Sequence, residues 1–256
     1  MRTAIIGHTG FVGSNIISKK KFSFYYNSSN ISEIKNKSFD LLISCGLSAT
    51  KFLINKNPLQ DKINIQNQKN LLASTKVNHI VHISSIDVYN NKIKVNENSK
   101  INSSELDHYG YNRFNFEKFL IDNFNNFHII RLPMLFGNGL KKNILYDLLN
   151  NQFKNRINND SIFQWYNIEN IWNDINKIIN KKINLINLLS EPIKLSSINK
   201  KYFGYPINEL AGKKPLITDI RSIHSKKFSN KTDYIYSKKN IENDLNKFIS
   251  TYKSGS

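Results

Sequence analysis

Residues 3–15 read TAIIGHTGFVGSN, an apolar run followed by three glycines at spacing three. The apolar run Thr3 to Ile6 has the character of a buried strand, and Gly7, Gly10 and Gly13 follow it before a helix-like segment opens. In a strand-to-helix turn, Gly7 permits the tight bend and Gly10 lets backbone approach an anion. Gly13 then lets the helix pack closely on the strand, with the first N–H groups of the helix facing the ligand. That arrangement cradles the pyrophosphate of a dinucleotide. The same spacing also suits a plain strand-to-helix connection, so the reading depends on a second site in the same sheet.

Outward from this turn, Phe22 to Tyr26, Leu41 to Ser44, Ile80 to Ile83 and Phe127 to Ile130 read as further buried strands. Between them Ile63 to Leu72 and Tyr109 to Phe124 have helical length and spacing. Repeated βα units imply an α/β fold with a Rossmann-type, doubly wound parallel sheet. Asn27 to Asn30 and Asn90 to Ser104 are polar, turn-rich loops. After Arg131-Leu132-Pro133 the alternation fades into a helix-like Asn143 to Leu149, an aromatic stretch Phe163 to Tyr166, a helix Ile171 to Ile179 and a short strand Leu185 to Leu188. The expected organisation is a dinucleotide-binding domain with the catalytic residues over 1–135, a reduced α/β substrate lobe over 136–250 partly packed on the sheet, and an unstructured tail over 251–256. The stretch after Gly204 offers little to read.

Composition narrows the function. Of 256 residues 40 are asparagine, and the formal charge is +18. The basic residues are scattered along the chain, and no helix-turn-helix, zinc or RNA-binding signature accompanies them, which argues against nucleic acid and for an anionic small substrate. Cys45 is the only cysteine, so an internal disulfide and a thiolate zinc cage are excluded, no metal site is expected, and a buried, inert thiol fits a reducing, cytoplasmic setting. No apolar run approaches the ~20 residues that span a bilayer, and no signal stretch opens the chain. Dinucleotide folds usually end the second strand on an acidic residue that takes the adenosine ribose. Here Tyr26-Asn27-Ser28-Ser29-Asn30 stands instead, and the uncharged Asn27 and Ser28 tilt the cofactor towards NADP without excluding NAD. Lys35 and Lys51 could assist there, but read first as a solvated face.

The second site follows the strand Ile80 to Ile83: Ser84-Ser85-Ile86-Asp87-Val88-Tyr89, then Tyr109-Gly110-Tyr111-Asn112-Arg113-Phe114-Asn115-Phe116-Glu117. With these motifs the chain resembles the extended short-chain dehydrogenase/reductase superfamily, the nucleotide-sugar epimerases, dehydratases and reductases. The Gly-x-x-Gly-x-x-Gly turn, the Ser-Ser-x-x-Val-Tyr segment, the Tyr-x-x-x-Lys-type helix, Asn64 in its helix, Ser44-Cys45-Gly46 and Arg131-Leu-Pro-Met-Leu-Phe-Gly137 occur in the family's order over about residues 1 to 200. The resemblance implies a nicotinamide cofactor held by Gly7, Thr9, Gly10, Phe11, Val12, Gly13, Asn27, Ser28, Ser44, Cys45, Gly46, Asn64 and Arg113. It implies Tyr109 as the acid that protonates a developing alkoxide, or the base in reverse, with Ser85 donating to the same oxygen. A phenol beside a fixed cation is expected to have its pKa lowered towards neutrality.

Two departures narrow this. Arg113 stands where the family has lysine; its charge and fork can serve the ribose hydroxyls and the tyrosine, but it does not lose a proton. Dehydratases of the superfamily place an Asp-Glu pair after the catalytic Ser/Thr, where this chain has Ile86 and Asp87, so elimination chemistry lacks one carboxylate and Asp87 reads as a substrate contact or a local salt bridge. In the lobe, Lys141, Lys142 and Asn143 could hold a substrate phosphate beside a helix start, Ser84 lies near the substrate or shapes its loop, and Trp165 packs in the core or stacks on the substrate. The resemblance implies an NAD(P)H-dependent reductase of a keto group on a nucleotide- or phosphate-linked sugar, for surface polysaccharide, in a superfamily whose members often pair as homodimers. Two alternatives stay open: an epimerase with tightly held NAD, and a non-catalytic NAD(P)-binding protein.

Overall fold

The computed structural model describes residues 1–152, 158–205, 214–228 and 232–254. By chain contacts these divide into two compact units that interleave in sequence: 1–90, 99–131 and 170–186 in one, 91–98, 132–169 and 187–256 in the other.

The first unit is built on a sheet. Its elements are β1 (Thr3–Ile6), α1 (Phe11–Ile17), β2 (Phe24–Tyr26), β3 (Ser38–Ser44), α2 (Lys51–Lys56), α3 (Pro58–Ala73), β4 (Lys76–Ser85), α4 (His108–Asn123) and β5 (Phe127–Leu132). β1 is buried at every position, as expected of a parallel strand covered on both faces. It pairs in parallel with β2 and with β3, and β3 with β4. The full strand order is β2-β1-β3-β4-β5 followed by a sixth strand from much later in the chain, which gives the doubly wound sheet that the sequence pattern implies. The order reverses between β1 and β3, and in an open α/β sheet that reversal marks the ligand crevice at the carboxyl ends of the strands. The glycine turn leaves β1 there, and Cys45-Gly46 leave β3 beside it.

Two helices line the site with buried faces that are partly polar. In α3, which opens on Pro58 in the first turn where its missing N–H costs nothing, the buried residues are Asp61, Ile65, Gln68 and Leu72. In α4 they are Tyr109, Gly110, Asn112, Arg113, Phe116, Glu117 and Leu120. Both sets recur every three to four residues, the helical period. Asp107 caps α4 by accepting from the Gly110 N–H at 2.8 Å.

The remaining elements are β6 (Met134–Phe136), α5 (Ile144–Leu149), β7 (Ile162–Phe163), β8 (Trp165–Asn167), α6 (Ile171–Asn180), β9 (Leu185–Asn187), β10 (Ile193–Lys194), α7 (Leu195–Tyr202) and α8 (Lys238–Ser254). Helix α6 falls within the sheet unit, and β9 is the sixth strand, next to β5. Residues 170–186, within the stretch expected as a lobe partly packed on the sheet, thus belong to the sheet unit. In the second unit β6 pairs with β8 in parallel, and β7 with β10 in antiparallel. α8 runs through the expected tail to Ser254, burying Ile241, Leu245 and Ile249; the rest of that tail, 255–256, lies outside the described residues. No helix among the described residues is long and apolar enough to cross a membrane.

Candidate active site

The turn after β1 is held by its own glycines. Gly7 has φ +89°, the left-handed region, and a Cβ there would lie 2.5 Å from the Gly46 Cα. A Cβ on Gly13 would lie 2.1 Å from the Gly7 carbonyl oxygen, which is the close helix-on-strand packing expected of it, whereas one on Gly10 would meet only that oxygen at 3.4 Å. The Gly10 N–H bonds to Gly7 O, and the Ser14 N–H to Gly10 O, closing the first turn of α1. Thr9 and Gly10 are exposed and Phe11 and Val12 half-buried. The N–H groups that precede the helical ladder thus open onto the reversal point of the sheet. A mutually crowded glycine cradle with an open outer rim suits a dinucleotide pyrophosphate.

Around this turn the structure separates the candidates. Cys45 turns its thiol to the Ile6 carbonyl at 3.1 Å, and burial pushes that thiol up to about 12, the inert group the composition implies. Ser44 is fully buried, with its hydroxyl taking Gln68 Nε2 and facing His82 Nδ1; its side chain serves the core rather than a cofactor. Asn64 is exposed on α3 and accepts from Gln60, while the α3 side chain that reaches the site is Asp61. At the end of β2, Asn27 Oδ1 takes the Ser29 N–H and Oγ–H and Asn30 Oδ1 takes the Asn27 N–H. Ser28 is exposed. The loop is an Asx-type turn with no carboxylate.

The second site assembles beside it. β4 ends at Ser85, whose Oγ accepts from the Asp87 N–H at 3.1 Å and starts a single 3-10 turn, Ile86–Val88. A Cβ on Gly110 would lie 2.3 Å from the Asp87 carbonyl oxygen. That glycine lets the start of α4 sit against this turn, and so sets Tyr109 beside Ser85. Ser85 and Arg113 both favour ionisation of the Tyr109 hydroxyl, and the Arg113 guanidinium lies 4.5 Å from the centre of its ring.

Arg113 is 2% exposed. Its Nη1 donates to Asp61 Oδ2 at 3.0 Å, and its Nη2 to Asp61 Oδ1 at 3.2 Å and to the Ser48 carbonyl. Three of the five N–H groups of its fork are therefore committed to the protein, which leaves two for any other partner. Asn112 also donates to Asp61, at 2.8 Å. The expected acidic shift of Tyr109 is corrected. Burial raises its pKa, Asp87 raises it further, and Arg113 and Ser85 oppose them without prevailing. The phenol is held protonated.

Ser84, expected near the substrate, is 6% exposed and donates to Glu117. Glu117 receives Arg131 through Nε at 3.0 Å and Nη2 at 2.6 Å, and Arg131 Nη1 donates to the Tyr89 hydroxyl at 2.7 Å. These four motif residues form one buried scaffold linking β4, α4 and β5. The pairing with Glu117 outweighs burial and raises the Arg131 pKa.

In the other unit Asn143 is the cap of α5. Its φ is +118°, its Oδ1 accepts from the Leu145 and Tyr146 N–H groups and its Nδ2 donates to Leu135 O. Those polar atoms are spent on the turn rather than on a substrate. Lys141 and Lys142 are exposed. Trp165 is fully buried and packs edge-on against Phe136 and Phe163, which removes the stacking alternative and leaves core packing.

No family model matches the sequence, and no curated protein does. Solved structures do. The structure is similar to that of a dTDP-4-dehydrorhamnose reductase from Yersinia enterocolitica, with TM-score 0.73 and 17% identity over 98% of this chain and 100% of that one. It is similar to a UDP-N-acetylglucosamine 4-epimerase from Methanobrevibacter ruminantium in complex with UDP-N-acetylmuramic acid, with TM-score 0.71 and 14% identity over 100% and 99%. A dTDP-4-dehydrorhamnose reductase from Bacillus anthracis in complex with NADP gives TM-score 0.67 and 16% identity over 88% and 90%. The chain has the fold of the extended short-chain dehydrogenases/reductases. Within that fold, sequence reasoning missed Asp61, Lys51, Asn55 and Gly110. Lys51, read as a solvated lysine, reaches Asp87 and Asp107 at 2.9 Å each. Of these four only Gly110 carries a local signal, as the residue three after a capping Asp107.

Proposed function

We propose that the protein is an NAD(P)H-dependent reductase of a keto group on a nucleotide-linked sugar. The observation that carries this reading is the Tyr109 phenol, kept protonated by burial with the Arg113 guanidinium 4.5 Å from its ring centre, in the same unit as the glycine cradle. Gly7 to Gly13 would hold the pyrophosphate, and a bound nicotinamide would supply the hydride. As hydride reaches the carbonyl carbon, negative charge grows on the oxygen; the Tyr109 O–H gives it a proton and Ser85 stabilises it. Arg113, fixed by Asp61, favours the tyrosinate left behind, which then regains its proton from solvent.

Support for the substrate class comes from the fold's likeness to dehydrorhamnose reductases and to an epimerase in complex with a UDP-sugar. Support for NADP comes from the absence of a carboxylate at Asn27-Ser28 and from the neighbour in complex with NADP. The epimerase reading rests on an equally complete likeness. It must, however, begin by deprotonating a sugar hydroxyl, which suits an ionised tyrosine better than the protonated one found here.

Tyr109→Phe tests the reading. It should leave NADPH binding intact and lower keto-sugar reduction by about 10²- to 10⁴-fold. Turnover within a few-fold of wild type would show that Tyr109 is not the acid.

A further inference from the structure

Five charged groups surround the Tyr109 ring from four elements: Arg113 on its own helix, Asp107 at the cap of that helix, Lys51 on α2, Asp61 on α3 through Arg113, and Asp87 in the turn after β4. Arg113 and Asp61 form a closed pair, with side chains 3% and 5% exposed. That leaves two carboxylates near the phenol with one cation between them. The Lys51 ammonium is 2.9 Å from Asp87 Oδ1 and 2.9 Å from Asp107 Oδ2, and 5.9 Å from the centre of the Tyr109 ring. One turn further along α2, Asn55 Oδ1 accepts the Tyr109 N–H at 2.9 Å and Asn55 Nδ2 donates to Asp107 Oδ2 at 3.2 Å. Lys51 and Asn55 lie on one face of α2, and both are directed at the first turn of α4. That turn exposes N–H groups that a helix cannot satisfy itself, and α2 meets one of them at the residue that carries the phenol.

We propose that Lys51 is a positioning residue for the reaction: it docks the start of α4 through Asp107 and neutralises Asp87, so that the phenol is not forced to give up its proton beside an uncompensated carboxylate. This rests on the reading of Tyr109 as the proton donor. The electrostatics agree. Burial by itself would lower the Lys51 pKa, yet Asp87 and Asp107 together raise it, so the ammonium stays charged. Asp87 opposes ionisation of Tyr109, and without Lys51 that opposition would act unscreened. Lys51 also occupies the one carboxylate next to Ser85, which makes Asp87 a poor free base.

The test uses the full chain without cofactor, labelled at the tyrosine ring carbon bearing oxygen, with Tyr109→Phe identifying the Tyr109 resonance. Lys51→Met should move the Tyr109 titration midpoint to higher pH, Lys51→Arg should leave it at the wild-type position, and Lys51→Met with Asp87→Asn should return it towards wild type. In NADPH-dependent keto-sugar reduction, Lys51→Met should lower kcat about tenfold with KM changed less than twofold. Lys51 is 41% exposed, so the single variants should fold; if Lys51→Met does not, Lys51→Gln carries the same expectation. An unchanged midpoint in Lys51→Met or Lys51→Gln overturns the proposal, as does a loss of kcat that Lys51→Arg does not restore. The titration reads the phenol without turnover. An inactive Tyr109→Phe with an unmoved midpoint therefore removes Lys51's role alone, and a fully active Tyr109→Phe removes the assignment of the acid.

Discussion

At the scale of single residues, the three glycines of the opening turn do different work, and substitutions can separate it. Gly13→Ala would drive a methyl to within 2.1 Å of the Gly7 oxygen, so backbone must shift, at about 1–3 kcal/mol or more. Gly10→Ala meets nothing closer than 3.4 Å, and its backbone at φ −78° accepts a side chain. Gly10→Ala should keep the urea midpoint of wild type yet weaken NADPH binding about tenfold or more, whereas Gly13→Ala should lower the midpoint. Equal effects of the two on stability would contradict the division. Cys45 gives a second test at this scale. With its thiol pushed up to about 12 by burial, it should resist alkylation in the native protein at neutral pH and react fully in denaturant.

Between elements, the decisive contacts are buried and polar. Glu117 and Arg131 are 1% and 3% exposed and bind α4 to β5. Arg131→Met would strand a buried carboxylate and should cost about 3–5 kcal/mol in chemical denaturation, while Arg131→Met with Glu117→Leu should recover most of it. His82 on β4 adds a pH dependence. Burial pushes its pKa down to about 3, against the Ser44 carbonyl that raises it. Between about pH 6.5 and 3 the unfolded chain therefore carries a proton there that the folded one does not. Stability contributed by the neutral ring is complete above this window and is lost as pH falls through it, by up to about 1.4 kcal/mol per pH unit. Denaturation across this range in wild type and His82→Gln should differ in slope by one proton; parallel curves would contradict the assignment.

What the sequence disclosed and what it hid also divide by element. The turn at Gly7, Ser85 and Tyr109 were legible because each carries its signal locally: a glycine after a strand, a serine at a strand end, a tyrosine opening a helix. Asp61 and Lys51 were not, because they reach Tyr109 only through the crossover from β3 to β4, and an aspartate or lysine in a polar helix resembles any solvated one. The buried faces of α3 and α4 hide for the same reason. Asp61, Gln68, Asn112 and Arg113 occupy positions where a core stripe would be apolar, so hydrophobic periodicity fades where the site is built. Arg113 was found, but the carboxylate that claims its fork lies 52 positions earlier in the chain.

Over the whole molecule, the doubly wound sheet was legible from alternating strands and helices, while the division into units was not. β9 has three residues, too few for a pattern, and only three-dimensional pairing returns 170–186 to the sheet. α8 escaped notice because Ile241, Leu245 and Ile249 are set in a polar sequence. The fold unites reductases and epimerases, so the direction of proton movement at Tyr109 distinguishes the proposed reaction. The most direct measurement is deuteride transfer from deuterated NADPH to a nucleotide-linked keto sugar, read by mass spectrometry of the product. One deuterium should be fixed in the sugar for each NADPH consumed, with the transfer lost in Tyr109→Phe. Interconversion of sugars without net NADPH consumption, or no transfer to any keto sugar while NADPH stays bound, would contradict it.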